Sequence, residues 1–182
     1  MFEISYTAAL IAISALWIVA RAAVCFKKKK IDLKREALLL LVYICIAVVV
    51  RFTFFPFFKV DGKIAPLIFD AAKAFPPRLN FLPLVYLLDY EVKKEIIINV
   101  VGNTTMFIPI GIILPAVYKK LDKHWKAIAA GIAFSFCIEI AQLPFYDRVS
   151  DIDDLILNSI GYIIGYIIFL GARACIRKVK KR

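Results

Sequence analysis

Carboxylates and carboxamides embedded in apolar sequence are the groups best placed to do chemistry in this chain, because hydrocarbon tolerates them poorly. The stretch 150–165, SDIDDLILNSIGYIIG, gathers several of them. Asp151, Asp153 and Asp154 stand at the mouth of an apolar run that then holds Asn158, Gly161 and Gly165. At about 3.6 residues per turn, Asp154, Asn158, Gly161 and Gly165 share one helical face. The other sides, with Leu155, Ile156, Ile160, Tyr162, Ile163 and Ile164, suit lipid. Upstream, Gly131, Ser135, Glu139 and Gln142 also follow a one-face helical spacing, and Asn99 and Asn103 lie one turn apart. Arg51, Arg78, Asn80 and Arg148 add cations and a further amide.

Several of these residues have an ordinary structural use. Asn99, Asn103, Gln142 and Asn158 can bond helix to helix. Arg51 can snorkel to an interface, and Asp151 or Asp153 can cap a helix whose N-terminus favours negative charge. Glu139 is harder to place. On an insertion scale an ionised Asp costs about 2.5–3.5 kcal/mol at the centre of a membrane helix, and Glu is comparable, so Glu139 needs a partner, water or a bound proton.

The elements that must position these groups follow from hydropathy. Of the 182 residues 62% are hydrophobic and 21% charged, with a mean hydropathy of +0.79. That is a polytopic, all-α membrane helix bundle in a single domain spanning 1–182, with no room for a separate soluble module. Five runs are long enough to cross: about 4–26, 36–57, 96–118, 127–146 and 155–175. The first starts near Glu3, is too long for a signal peptide and has no convincing cleavage site before Lys27. The second closes in an aromatic cluster, Phe52, Phe54, Phe55, Phe57 and Phe58, of the kind found at interfaces. The segment 59–95 carries Pro66, Pro76, Pro77 and Pro83 and is too broken to cross; within it Ile64–Phe75 is expected as a short interfacial helix.

The net charge of +11 does not point to nucleic acid. Segments 27–35, 119–126 and 173–182 hold six, four and six of the 25 basic residues, which is where the positive-inside rule expects them. The N-terminus is then outside and the C-terminus inside, with 59–95 and 147–154 outside. The latter loop holds four Asp and one Arg, the reverse of the inner loops. Cys25, Cys45, Cys137 and Cys175 have no paired spacing and read as small buried hydrophobes. On this topology Glu139, Asp154, Asn158, Asn99 and Asn103 fall in the outer half of their spans. The fourth and fifth spans pair polar to polar outside and small to small inside, through Gly161 and Gly165.

The same residues resemble a known family. The pattern Arg78-Leu79-Asn80-Phe81-Leu82-Pro83, Asn99-Val100-Val101-Gly102-Asn103, Phe107-Ile108-Pro109-Ile110-Gly111, Glu139-x-x-Gln142 and Arg148-x-x-Asp151-x-Asp153-Asp154-x-x-x-Asn158-x-x-Gly161 is similar to that of VanZ-like bacterial membrane proteins, over about 36–170. The resemblance implies a small multi-pass protein of the bacterial plasma membrane. The family takes its name from a protein that lowers susceptibility to teicoplanin, a lipoglycopeptide antibiotic. It implies no settled biochemical activity.

Three mechanisms use these groups. In a binding protein, Arg51, Arg78 and Arg148 hold an anionic outer-leaflet lipid or a lipid-linked peptidoglycan precursor by its head group, and Asn80, Asn99, Asn103, Gln142 and Asn158 complete a polar shell. In an enzyme acting on a lipid head group, Glu139, Asp151, Asp153 and Asp154 hold Mg²⁺ or Ca²⁺ through oxygen, or Glu139, Asp151 or Asp154 serves as acid or base. His-dependent chemistry is not available on the outer face, because the only histidine, His124, is assigned to a cytoplasmic loop. In a lipid transporter, Glu139 and the Pro109 break in the third span take part, and a polar path continuing past Glu139 to the cytoplasmic side is expected. The sequence does not set the oligomeric state.

Overall fold

In the computed structural model, the described residues are 1–28, 31–55, 62–83, 93–121 and 123–181. They form a mostly helical chain with five helices long and apolar enough to cross a membrane. These are α1 (Tyr6–Lys28), α2 (Leu33–Phe54), α3 (Lys93–Val117), α4 (His124–Gln142) and α5 (Ile152–Val179). Four short strands accompany them: β1 (Phe2–Ile4), β2 (Leu67–Phe69), β3 (Leu79–Asn80) and β4 (Ser150–Asp151). The chain divides into two compact units, one of 1–78 with 142–148 and one of 79–141 with 149–182.

In the first unit α1 and α2 form an antiparallel hairpin. Asp32 caps α2 by accepting from the Arg35 N–H at 3.2 Å, and Pro56 follows shortly after the last helical residue. Across the hairpin Ser14 and Tyr43 share a hydrogen bond of 2.6 Å, and Trp17 packs on Tyr43. Arg21 forms a two-pronged ion pair with Glu36. Arg21 therefore has a carboxylate partner within the hairpin. No residue of α1 is buried.

The expected interfacial helix at Ile64–Phe75 does not form. Leu67–Phe69 is extended and pairs antiparallel with Phe2–Ile4, followed by a 3-10 turn at Ala71–Ala74 capped by Asp70. A short apolar run carries no helix signal strong enough to resist strand pairing once a partner edge is present. Residues 142–148 complete this patch. The Asp70 N–H donates to the Pro144 carbonyl at 2.8 Å and the Tyr146 N–H to the Ile68 carbonyl at 2.9 Å. Phe2, Phe69, Phe145 and Phe54 stack in succession. Phe57 and Phe58 of the expected aromatic cluster lie outside the described residues.

In the second unit α3 and α5 approach closely through glycine. A Cβ on Gly161 would fall on the Thr104 carbonyl, one on Gly165 on the Ile108 carbonyl, and one on Gly111 on the Tyr162 carbonyl. Glycines that admit a neighbouring backbone are the usual device for packing helices where the hydrophobic effect gives no drive. The sequence assigned Gly161 and Gly165 to the α4 face; they meet α3. Helix α3 runs unbroken through Pro109 and Pro115, so Pro109 does not end it. Helix α4 stops at Gln142, short of the expected Tyr146, because Pro144 disfavours helix in the residue before it. Helix α5 starts at Ile152, capped by Asp151, whose side chain accepts from the Asp153 N–H.

Candidate functional site

The twelve polar residues singled out above divide between the units. Arg51, Arg78, Gln142 and Arg148 belong to the first; Asn80, Asn99, Asn103, Glu139, Asp151, Asp153, Asp154 and Asn158 belong to the second.

The first group is built on the C-terminal end of α2. A helix ends with carbonyls that lack intrahelical partners and carry partial negative charge. Gln142 Nε2 donates to the Thr53 carbonyl at 2.7 Å. Arg148 donates through Nε and Nη2 to the Phe54 carbonyl at 3.0 and 2.8 Å. Arg51 reaches the Phe55 carbonyl at 3.4 Å and lies over the rings of Tyr6 and Phe52. Arg51 of α2 itself and two side chains from the distant segment 142–148 thus close one helix terminus. Hydropathy gives no hint of this, because the acceptors are backbone atoms.

Arg78 sits in the same unit under different conditions. Its Nη2 donates to the carbonyls of Phe145, at 3.1 Å, and Tyr146. Its Nε is buried with no hydrogen-bond partner. The guanidinium lies 5.7 Å from the centre of the Tyr146 ring, and the Lys73 ammonium lies 4.9 Å from the same ring. Two cations therefore meet at one aromatic side chain. Lys73 was not among the residues the sequence singled out; only its position two residues into the 3-10 turn brings it there.

The second group is a run of hydrogen bonds around the start of α5. Glu139 Oε2 accepts from the Asp151 N–H at 2.9 Å. Asp151 Oδ1 caps Asp153 N–H at 2.9 Å, and its Oδ2 accepts from Asn80 Nδ2 at 3.0 Å. The parallel pairing of β3 with β4, with Asn80 opposite Asp151, fixes that last contact. Asn103 Nδ2 donates to Asn99 Oδ1 and to Asp154 Oδ1, linking α3 to α5. Asn158 Nδ2 donates to Ser135 Oγ at 3.0 Å, linking α5 to α4. Glu139 and Asp153 are 4% and 5% exposed, and the Glu139 carboxylate, which accepts the Asp151 N–H, is a structural acceptor first. Among the described residues no three His, Cys, Asp or Glu side chains are grouped to hold a metal ion.

Two residues stand differently from expectation. Tyr162, assigned to the lipid side, is 1% exposed, and its ring fills the place where a Gly131 side chain would be. Asn158, Tyr162 and Tyr166 lie at one-turn intervals, and that spacing was the available signal. His124, assigned to a loop, is the first residue of α4, and its Nδ1 shares a hydrogen bond of 3.0 Å with the Tyr166 hydroxyl.

The family model described as VanZ/LLP1 covers residues 40–175. No curated protein and no solved structure matches the chain.

Proposed function

The chain belongs to the VanZ/LLP1 family, and from that premise we propose that this multi-pass membrane protein binds an anionic lipid head group at the extracytoplasmic face of the bacterial plasma membrane. The ligand is an outer-leaflet lipid or a lipid-linked peptidoglycan precursor. Engaging it lowers susceptibility to teicoplanin-type lipoglycopeptides, which act outside the membrane on such precursors and carry a lipid tail of their own.

The observation behind this reading is the Arg78–Lys73–Tyr146 group. Arg78 is anchored by two neutral carbonyls, so those bonds orient the guanidinium without cancelling its charge. Its buried Nε lacks an acceptor, and a buried donor without one is costly unless something fills the role. An oxyanion would fill it, with Lys73 as the second cation. The ring of Tyr146, 45% exposed, suits the boundary between head group and hydrocarbon. Sidedness rests on the positive-inside rule, which puts 59–95 and 147–154 outside. The pairing of β1 with β2 puts the N-terminus on the same side as that segment.

The test is growth. A bacterium expressing the chain should tolerate more teicoplanin than the same strain with an empty vector, and Arg78→Ala at equal expression should remove the difference. Equal tolerance in all three strains would refute the proposed role.

A further inference from the structure

We propose that the seam between α4 and α5 holds buried water and relays protons along the length of the helix pair, between the Glu139 end and His124. Three cross-links mark the seam. Ser135 meets Asn158 at 3.0 Å, the Tyr162 ring lies against Gly131, and His124 meets the Tyr166 hydroxyl at 3.0 Å. On α5 Asn158, Tyr162 and Tyr166 recur every four residues. On α4 the polar members are Glu139 and Ser135 towards one end and His124 at the other, with apolar residues between them, so Tyr162 and Tyr166 of α5 carry the polar line across the middle of the contact.

Two of these groups are incomplete. Asn158 and Tyr162 are each 1% exposed, and both Asn158 Oδ1 and the Tyr162 hydroxyl lack a hydrogen-bond partner. Turning the Asn158 amide over moves the deficit to its nitrogen without removing it, because Ser135 Oγ can donate or accept. The two orphans lie one turn apart on the same face. Buried polar atoms so placed are ordinarily satisfied by internal water with two to four partners, and the absence of a side chain at Gly131 is what lets the Tyr162 ring lie against α4.

Hydroxyls, water and imidazole pass protons by exchange. Each accepts one on one side and releases one on the other, so a proton taken up at one end is matched by one released at the far end, with no net bond made. Ser135, Tyr162, Tyr166 and His124 can each play that part, and Asn158 orients the water. Titratable groups near the path are few. Helix α3 presents none between residues 96 and 117. Asp151 faces Glu139 through its N–H, and Lys123 and Lys126 flank His124 in sequence. Intramembrane runs of acidic, hydroxyl and imidazole groups are the usual material of proton paths.

The test uses the full chain in phosphatidylcholine–phosphatidylglycerol vesicles with a trapped pH dye and a potassium diffusion potential set by valinomycin. Wild type should change the internal pH faster than protein-free vesicles, and Tyr162→Phe should return the rate to the protein-free value. Wild type at the protein-free rate, or Tyr162→Phe at the wild-type rate, overturns the proposal. If Tyr162→Phe does not elute as folded protein, His124→Gln at the exposed end of the seam decides by the same criteria. This inference goes beyond lipid binding: Tyr162→Phe should keep its anionic lipid, so loss of flux and loss of lipid fail separately.

Discussion

The carboxylate of Glu139 accepts the backbone N–H of Asp151 at 2.9 Å, and Asp151 in turn caps α5. One buried acid thus holds the strand-to-helix junction that carries Asn80 as well. The expensive charge has a structural use before any chemical one. Glu139→Gln keeps an oxygen able to accept from Asp151, whereas Glu139→Leu leaves that N–H without a partner. Thermal unfolding of purified protein should show Glu139→Gln close to wild type and Glu139→Leu less stable by about 1–3 kcal/mol, the cost of an orphaned buried donor. Equal stability of the two variants would mean the bond contributes nothing.

Arg148 makes the matching contact in the other unit. Its two donors converge on the Phe54 carbonyl at the end of α2. Lysine offers a point charge and cannot reproduce that fork. Arg148→Lys should therefore recover only part of the stability lost in Arg148→Ala, which we expect to be about 1.5–3 kcal/mol for hydrogen bonds involving a charged group. Denaturation midpoints in one detergent give the comparison.

Gly161 and Gly165 should be intolerant of a methyl group, and Gly171 indifferent. The first two face carbonyls of α3 across the helix contact, while nothing lies within 4 Å of Gly171. Overpacking against backbone costs about 1–3 kcal/mol. Gly161→Ala and Gly165→Ala should lower the unfolding temperature, and Gly171→Ala should leave it unchanged or raise it slightly, as alanine favours helix.

Orientation gives a fourth expectation. If, as the positive-inside rule expects, segments 27–35, 119–126 and 173–182 face the cytoplasm, a fluorescent protein fused after Arg182 should fold and fluoresce, and an alkaline phosphatase fused there should be inactive. The reverse result would contradict the extracytoplasmic side proposed for the Arg78 group.

How far the sequence could be read depended on the range of the interaction concerned. Five spans were legible because an apolar run long enough to cross is a local property, and several of their ends were moved by caps and prolines such as Asp32, Asp151 and Pro144. The polar face of α5 was legible as well, since the spacing of Asp154 and Asn158 is local. Which helix each residue met was not. Asp154, Gly161 and Gly165 turn to α3 and Asn158 to α4, and helices adjacent in sequence are not bound to be the ones that pack most closely. The strand at Leu67–Phe69 depended on β1 at the far end of the unit. The closing of α2 by Gln142, Arg148 and Arg51 depended on backbone carbonyls, which no pattern of side chains announces.

Lipid retention is the most direct test of the binding account. Purified full-length protein, released from a mild detergent containing equal phosphatidylglycerol and phosphatidylethanolamine, should carry phosphatidylglycerol in native mass spectra. Lys73→Ala should weaken that adduct and Arg78→Ala should remove it, with the folded charge-state distribution unchanged. Wild type, Lys73→Ala and Arg78→Ala retaining the same lipids in the same amounts would contradict the account.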